Sequence, residues 1–156
     1  MATRELNYTY EEFSSSEIPD PQIYEMIELA KRAADKAYAP YSKFKVGAAA
    51  LLGNGEFISA NNQENAAYPS GMCAERSLLY YANGNFPGVP IKRMVLVAAD
   101  DGKLTSQPVY PCGACRQVMI QTQDRFGVAM EVWMIGQEKT HMVKSVDPLL
   151  PLKFSF

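Results

Sequence analysis

The chain has 156 residues, 47% of them hydrophobic and 21% charged, enough apolar material for one globular domain and too much for a disordered chain. Fifteen Lys and Arg against seventeen Asp and Glu give a formal charge of −2, so no net positive field is available to hold a polyphosphate, which argues against a dedicated nucleic-acid binder. Three cysteines are too few, and of the wrong parity, for a disulfide framework. Met1-Ala2-Thr3-Arg4-Glu5 contains no apolar signal region, and the longest apolar run, Met94 to Ala99, falls far short of the roughly 20 residues that cross a bilayer. A cytoplasmic protein with no membrane segment is expected.

Residues 1–20 show neither helical nor strand periodicity and read as an N-terminal arm, leaving 21–156 as the domain. Asp20 offers an N-cap oxygen, Pro21 suits the first helical position, and apolar residues recur at Ile23, Met26, Ile27, Ala30, Ala34, Ala37 and Tyr38, which predicts a helix over about 21–38. The run Phe44–Leu52 is small and apolar on both faces, as in a strand covered on both sides. Gly53-Asn54-Gly55 is a hairpin signal leading into a strand at 56–60. A second helix is expected from near Cys73, stopped by Asn83-Gly84-Asn85, and a third from about Cys112, with Val118 and Met119 facing inward. Strands are expected at Met94–Ala99, Val128–Ile135 and Thr140–Lys144, the last two antiparallel because only four residues join them. The pattern is α/β: a three-layer α/β/α sandwich around a five-stranded mixed sheet.

All three cysteines fall in two motifs, Cys73-Ala74-Glu75 and Pro111-Cys112-Gly113-Ala114-Cys115, and each motif opens a predicted helix. Free N–H groups and the positive dipole end at a helix N-terminus favour the thiolate, the form that binds metal. Three thiolates suit tetrahedral Zn²⁺ and leave a fourth position open, as in a catalytic site. The single histidine, His141, has no ligand-like spacing to any cysteine. Ordinary buried cysteines, or a redox-active pair, are the competing readings. Glu75 is placed to take a proton from water activated by the metal and to return it, which is hydrolytic chemistry. Cys73 and Glu75 share a pocket only if Cys73 occupies the first, unsettled turn. Arg76 and Arg116 follow the two motifs, and Arg76 is favoured as a donor that draws charge off the sulfurs.

Together the two motifs match the signature of the zinc-dependent nucleobase deaminases. Tyr41-Ser42-Lys43-Phe44-Lys45-Val46-Gly47-Ala48-Ala49, the run from Asn62 to Arg76 and the run from Pro111 to Val118 resemble the small homotetrameric cytidine deaminases over about residues 21–154. The resemblance implies a cytidine deaminase-like fold, one zinc per subunit on Cys73, Cys112 and Cys115, and a catalytic domain spanning 21–156. It also implies hydrolysis of cytidine and deoxycytidine to uridine and deoxyuridine with release of ammonia, in pyrimidine salvage. By the same resemblance Glu75 shuttles the proton, Asn62 and Glu64 hold the ribose 3′-hydroxyl, Phe44 packs on the nucleoside, and the Ala74 backbone N–H helps bind the base. Ala66, Tyr68 and Phe154 would reach a neighbouring subunit's pocket in a homotetramer with composite sites. Gln63 stands where the family usually has an aliphatic residue, and Pro148 replaces the usual Glu before Leu-Leu-Pro. A related deaminase of another small aminopyrimidine nucleoside and a non-catalytic zinc-stabilised binding module are the alternatives.

Overall fold

The computed structural model describes residues 1–100 and 102–155; Asp101 and Phe156, the last residue of the expected catalytic domain, lie outside the described residues. The elements run β1 (Glu11–Ser14), α1 (Pro21–Asp35), β2 (Phe44–Leu52), β3 (Phe57–Asn61), α2 (Ala74–Asn85), β4 (Ile91–Asp100), β5 (Lys103–Leu104), α3 (Gly113–Phe126), β6 (Glu131–Ile135) and β7 (Lys139–Val143).

The start of α1 follows from its cap: the Asp20 carboxylate accepts from the Gln22 N–H at 2.9 Å, and Pro21 has no N–H to leave unpaired. Ile23, Met26, Ile27, Ala30 and Ala34 form its buried face, and each fully buried large side chain contributes about 1.5–3 kcal/mol. The helix ends at Asp35 rather than near Tyr38. The Tyr38 backbone is spent elsewhere, its N–H donating to the Asn62 carbonyl at 3.2 Å and its carbonyl accepting from the Glu64 N–H at 2.8 Å.

One sheet runs in the order β1-β7-β6-β4-β2-β3, with β5 paired to β4. The β2–β3 and β6–β7 pairs are antiparallel hairpins, whereas β4 and β6 are parallel and are connected through α3. Packing of α1 against Ala49, Val95, Val97, Trp133 and Ile135 covers one face. On the other face Leu78, Leu79, Met119 and Ile120 of α2 and α3 pack on Ala48, Ala50, Leu96 and Met134. The three-layer sandwich is therefore as expected, and the small residues of β2 have a specific cause. A Cβ built on Gly47 would lie 1.9 Å from the Ala30 carbonyl oxygen, so only glycine lets α1 settle on the sheet at this point.

Among the described residues seven strands replace the expected five. The additions are the two-residue β5 and β1, which lies in the segment read from sequence as an irregular arm and pairs with β7 in the register Glu11↔Met142 to Ser14↔Lys139. α2 runs through Asn83 and Gly84 and ends at Asn85, within the expected stop signal. The Asn83 amide donates across to the Thr122 hydroxyl of α3 at 3.1 Å, while the Asn85 amide caps the last turn by donating to the Tyr81 carbonyl at 2.9 Å.

After β7 the chain turns back under α3. There the buried Gln123 side chain accepts from the Val146 N–H at 2.9 Å and the Met130 N–H at 3.2 Å, and donates to Asp147 at 3.0 Å. Pro148 sits in the 3-10 turn Asp147–Leu149 that follows, at a first-turn position where a missing N–H costs nothing. Among the described residues no helix is long and apolar enough to cross a membrane.

Candidate metal centre and active-site cavity

Cys73 and Cys112 are the N-caps of α2 and α3, both in extended conformation (φ −70°, ψ 154° and φ −67°, ψ 164°). The thiols therefore leave their helices at the end where N–H groups are unpaired. Cys115, in the first turn of α3, is fully buried. The sulfurs of Cys73 and Cys112 lie 3.9 Å apart, those of Cys112 and Cys115 3.4 Å apart, and all three lie within 4.8 Å of one another.

Sulfurs at about 2.3 Å from a tetrahedral zinc sit about 3.8 Å from each other, whereas a disulfide would bring two of them to about 2.0 Å. All three cysteines are free thiols, and their spacing fits zinc. The cluster contains no histidine; His141 sits on β7, its Nε2 2.8 Å from the Glu12 carboxylate.

Electrostatics agree with the spacing. The Cys73 thiol is drawn down to about 5, first by a hydrogen bond from Cys115 and then, against burial, by Cys112 and Arg76. Cys115 is pushed up, first by its bond to Cys73 and then by burial. One sulfur thus carries the charge, and Cys115 holds a proton that a bound metal would displace. The Arg76 Nη2 donates to the Gly71 carbonyl at 3.3 Å, while its Nε is buried with no hydrogen-bond partner among the described residues, a spare donor beside the sulfurs. Arg116 serves elsewhere: its Nε donates to the Pro111 carbonyl at 2.8 Å and its Nη1 to the Leu149 carbonyl at 3.0 Å.

The geometric demand on Cys73 and Glu75 is met because Cys73 is the cap rather than an interior helical residue. Both line one cavity of about 600 Å³, together with Phe44, Asn62, Glu64, Tyr68, Arg76 and Cys112. Glu75 is 5% exposed, and burial is the first cause of the rise of its carboxyl above the ordinary value. That rise makes it a better proton acceptor than a solvated carboxylate. Ala74 opens α2 with a buried side chain, and as the first helical residue its N–H has no partner within the helix.

The polar side of the cavity is built by the 62–64 segment. Asn62 accepts from the Val46 N–H at 2.8 Å and donates to the Phe44 carbonyl at 2.9 Å, which fixes the start of β2 and leaves one N–H and one lone pair of the amide for a ligand. The Glu64 carboxylate accepts from the backbone N–H groups of Tyr41 at 2.9 Å and Ser42 at 3.2 Å, and from the Ser42 hydroxyl. These bonds, the hydroxyl first, hold its carboxyl below the ordinary value.

Sequence reading gave Tyr41 and Ser42 no such part, since nothing local in the 41–42 stretch signals a carboxylate 22 residues away. Gln63 is exposed, and its backbone N–H and carbonyl each pair with Met72 at 2.9 Å. The segment is thus held by main chain, and its side chain is free to differ. Tyr68 stands at the rim of this chain's own cavity, 78% exposed and edge-on to Tyr41 at 6.4 Å. Ala66 and Phe154 do not line the cavity. Phe154 is 65% exposed, and its carbonyl accepts from Gln117 at 3.2 Å.

Residues 21–130 match the sequence profile of the family described as the cytidine and deoxycytidylate deaminase zinc-binding region. A cytidine deaminase of Sporosarcina psychrophila is 38% identical over 133 residues, covering 85% of this chain and 91% of that one. A probable cytidine deaminase of Dictyostelium discoideum is 31% identical over 134 residues, covering 86% and 84%. The crystal structure of cytidine deaminase from Burkholderia pseudomallei superposes with a TM-score of 0.71 at 39% identity, covering 84% of this chain and 98% of that one.

Proposed function

Since the chain belongs to the cytidine and deoxycytidylate deaminase family, we propose that it hydrolyses the 4-amino group of cytidine and deoxycytidine, releasing ammonia and leaving uridine or deoxyuridine. The observation that carries the reading is the buried Glu75 carboxylate in one cavity with Cys73 and Cys112, with Asn62 and Glu64 lining the same space.

Zinc on Cys73, Cys112 and Cys115 supplies a Lewis acid that lets water lose a proton near neutral pH. Glu75 accepts that proton and passes it to ring N3 as water adds at C4, then takes the remaining proton from the oxygen on C4 and delivers it to the amine as the C4–N bond breaks and the C4 carbonyl forms. Its raised pKa suits both acceptance and return. Asn62 and Glu64 orient the nucleoside through the ribose 3′-hydroxyl, the Ala74 N–H holds the base, and Phe44, fixed through its carbonyl by Asn62, packs against it. A carboxylate at the 3′ position repels a 3′-phosphate, which favours free nucleosides. Arg76 donates toward Cys73 and offsets the negative charge of the thiolates.

The reading includes a catalytic domain at 21–156, a cytoplasmic location and a place in pyrimidine salvage. Free thiols persist in reducing compartments, which supports the location. It also includes a homotetramer with composite pockets. Exposed Tyr68, Tyr80, Tyr81 and Phe154 support that assembly, as does the position of Ala66 and Phe154 outside their own cavity.

The test is loss of ultraviolet absorbance when the protein meets cytidine, with zinc counted per chain and a chelated control. Zinc-dependent formation of uridine is expected. Bound zinc without turnover of either nucleoside would reject the substrate assignment and leave another aminopyrimidine nucleoside or a non-catalytic module. Solution mass and a Phe154 truncation test the assembly: a tetramer and a raised KM are expected, and a monomer with unchanged KM would overturn it.

A further inference from the structure

Tyr110 lines the active-site cavity and has no part in the chemistry above. It stands two residues before Cys112, so their Cα atoms are at most about 7 Å apart. Its hydroxyl is 2.8 Å from His141 Nδ1, and His141 Nε2 is 2.8 Å from one Glu12 oxygen while Lys139 donates to the other at 2.9 Å. The Tyr110 and His141 rings stack at 5.8 Å and 29°, and Tyr10 covers His141 at 4.8 Å. His141 is 8% exposed.

The proton positions are determined by the end group. An ionised carboxylate only accepts, so Nε2 carries the hydrogen; in the neutral ring Nδ1 is then the acceptor and the Tyr110 hydroxyl the donor. A second cavity of about 290 Å³ is lined by Tyr110 together with Tyr8, Tyr10, His141 and Leu149. Tyr110, itself 50% exposed, is the lining residue that the two spaces share, and so the partition between them. The chain four to five residues before Tyr110 is held to the β6–β7 turn: the Gln137 N–H donates to the Thr105 carbonyl at 2.8 Å and the Glu138 N–H to the Ser106 carbonyl at 3.0 Å. A Cβ on Gly136 would lie 2.6–2.7 Å from the backbone of residues 106–108.

We propose that Tyr110 is a specificity-determining wall at the base end of the pocket, held upright from the N-terminal arm through His141 and Glu12. The inference rests on the deaminase reading. Carbon C4 has two ring neighbours, N3 and C5; with N3 served by Glu75 on α2, C5 faces the other ligand-bearing segment, Tyr110–Cys112. A substituent on C5 meets the Tyr110 ring, and the space that would take it is the second cavity.

The experiment compares kcat/KM for cytidine and 5-methylcytidine in the wild type, Y110A, Y110F and E12A. Opening the partition in Y110A raises the 5-methylcytidine to cytidine ratio by about 10-fold or more, the scale on which one methyl group is discriminated in an apolar pocket. Y110F and E12A keep the ring and cut the tether, and they move the ratio the same way by about 2- to 5-fold. A ratio unchanged in Y110A overturns the wall; a ratio moved in Y110A but in neither tether variant overturns the role of the arm.

A second readout needs no turnover. His141 is the only histidine, so a tag-free protein labelled with ¹⁵N-histidine gives one imidazole by NMR. It should show the Nε2–H tautomer, with an Nδ1 signal that moves when uridine binds in the wild type and not in Y110F. A wild-type signal unmoved by bound uridine overturns the proposal. Failure of the zinc-loaded wild type to deaminate cytidine would instead overturn the deaminase reading, so the two failures are distinct.

Discussion

Gln123→Leu removes a clasp without changing side-chain volume by much. In the native chain the Gln123 carbonyl oxygen accepts from the buried N–H groups of Met130 and Val146, residues that are fully buried on either side of the β6–β7 hairpin. Leucine leaves both donors without a partner, at about 1–3 kcal/mol each, hence about 2–6 kcal/mol before any gain from the added apolar contact. Taking about 3 kcal/mol, and 2–4 °C per kcal/mol for a chain of this size, Tm should fall by about 6–12 °C. The assay is calorimetry of zinc-loaded protein at fixed concentration, since bound metal and assembly both shift Tm.

Gln123→Glu supplies the control. It keeps both acceptances but replaces the N–H that Asp147 now receives, the first cause of that carboxyl's lowered pKa, with a second carboxylate. The new pair shares a proton and its folded pKa rises, so its stability is present at low pH and is lost as pH rises through that value. The variant should approach the wild type between pH 7 and pH 5, whereas Gln123→Leu should not. A fall of less than about 2 °C for Gln123→Leu, or no pH contrast between the two variants, would refute the accounting.

Glu75→Gln should keep zinc and fold while losing at least about 10² in rate; near-normal turnover would remove Glu75 from the proton path. Cys112→Ala should lose its zinc, read by metal content per chain, and with it much of the stability coupled to metal binding. One zinc per chain at normal Tm would reject that ligand. Gly47→Ala places a methyl 1.9 Å from the Ala30 carbonyl, against backbone that cannot yield by rotation. Destabilisation of about 1–3 kcal/mol or more is expected by urea unfolding, and an unchanged midpoint would mean that α1 shifts freely on the sheet.

The metal centre was legible because its chemistry is local. Cys73 and Glu75 are two residues apart, Cys112 and Cys115 three, and both motifs begin helices that the apolar pattern also marks. The sandwich was legible for a similar reason: α1, β2 and the β2–β3 hairpin each carry a cap, a period or a turn within a short window. Features that depend on remote partners were not. The alternation in β1 is carried by Glu11, Glu12, Phe13 and Ser14, and its partner β7 is about 125 residues away in the chain. The bonds from Tyr41 and Ser42 to Glu64, and from Tyr110 to His141, likewise join residues with no periodic relation. The misplaced end of α1 has the same cause, since the groups that decide it, Asn62 and Glu64, lie elsewhere in the chain.

The pairing of β1 with β7 also changes what the molecule shows to its surroundings. Without it the largely buried strand Lys139–Val143 would end the sheet with a row of unpaired backbone groups, a template for strand-by-strand growth between molecules. In its place the outermost strand is four residues long and begins with two carboxylates, Glu11 and Glu12, each engaged by a lysine from β7 or the residue just after it. A short, charged border of this kind discourages edge-to-edge association, so the N-terminal segment guards solubility whatever else it does, and a truncated chain should be the more aggregation-prone at high concentration.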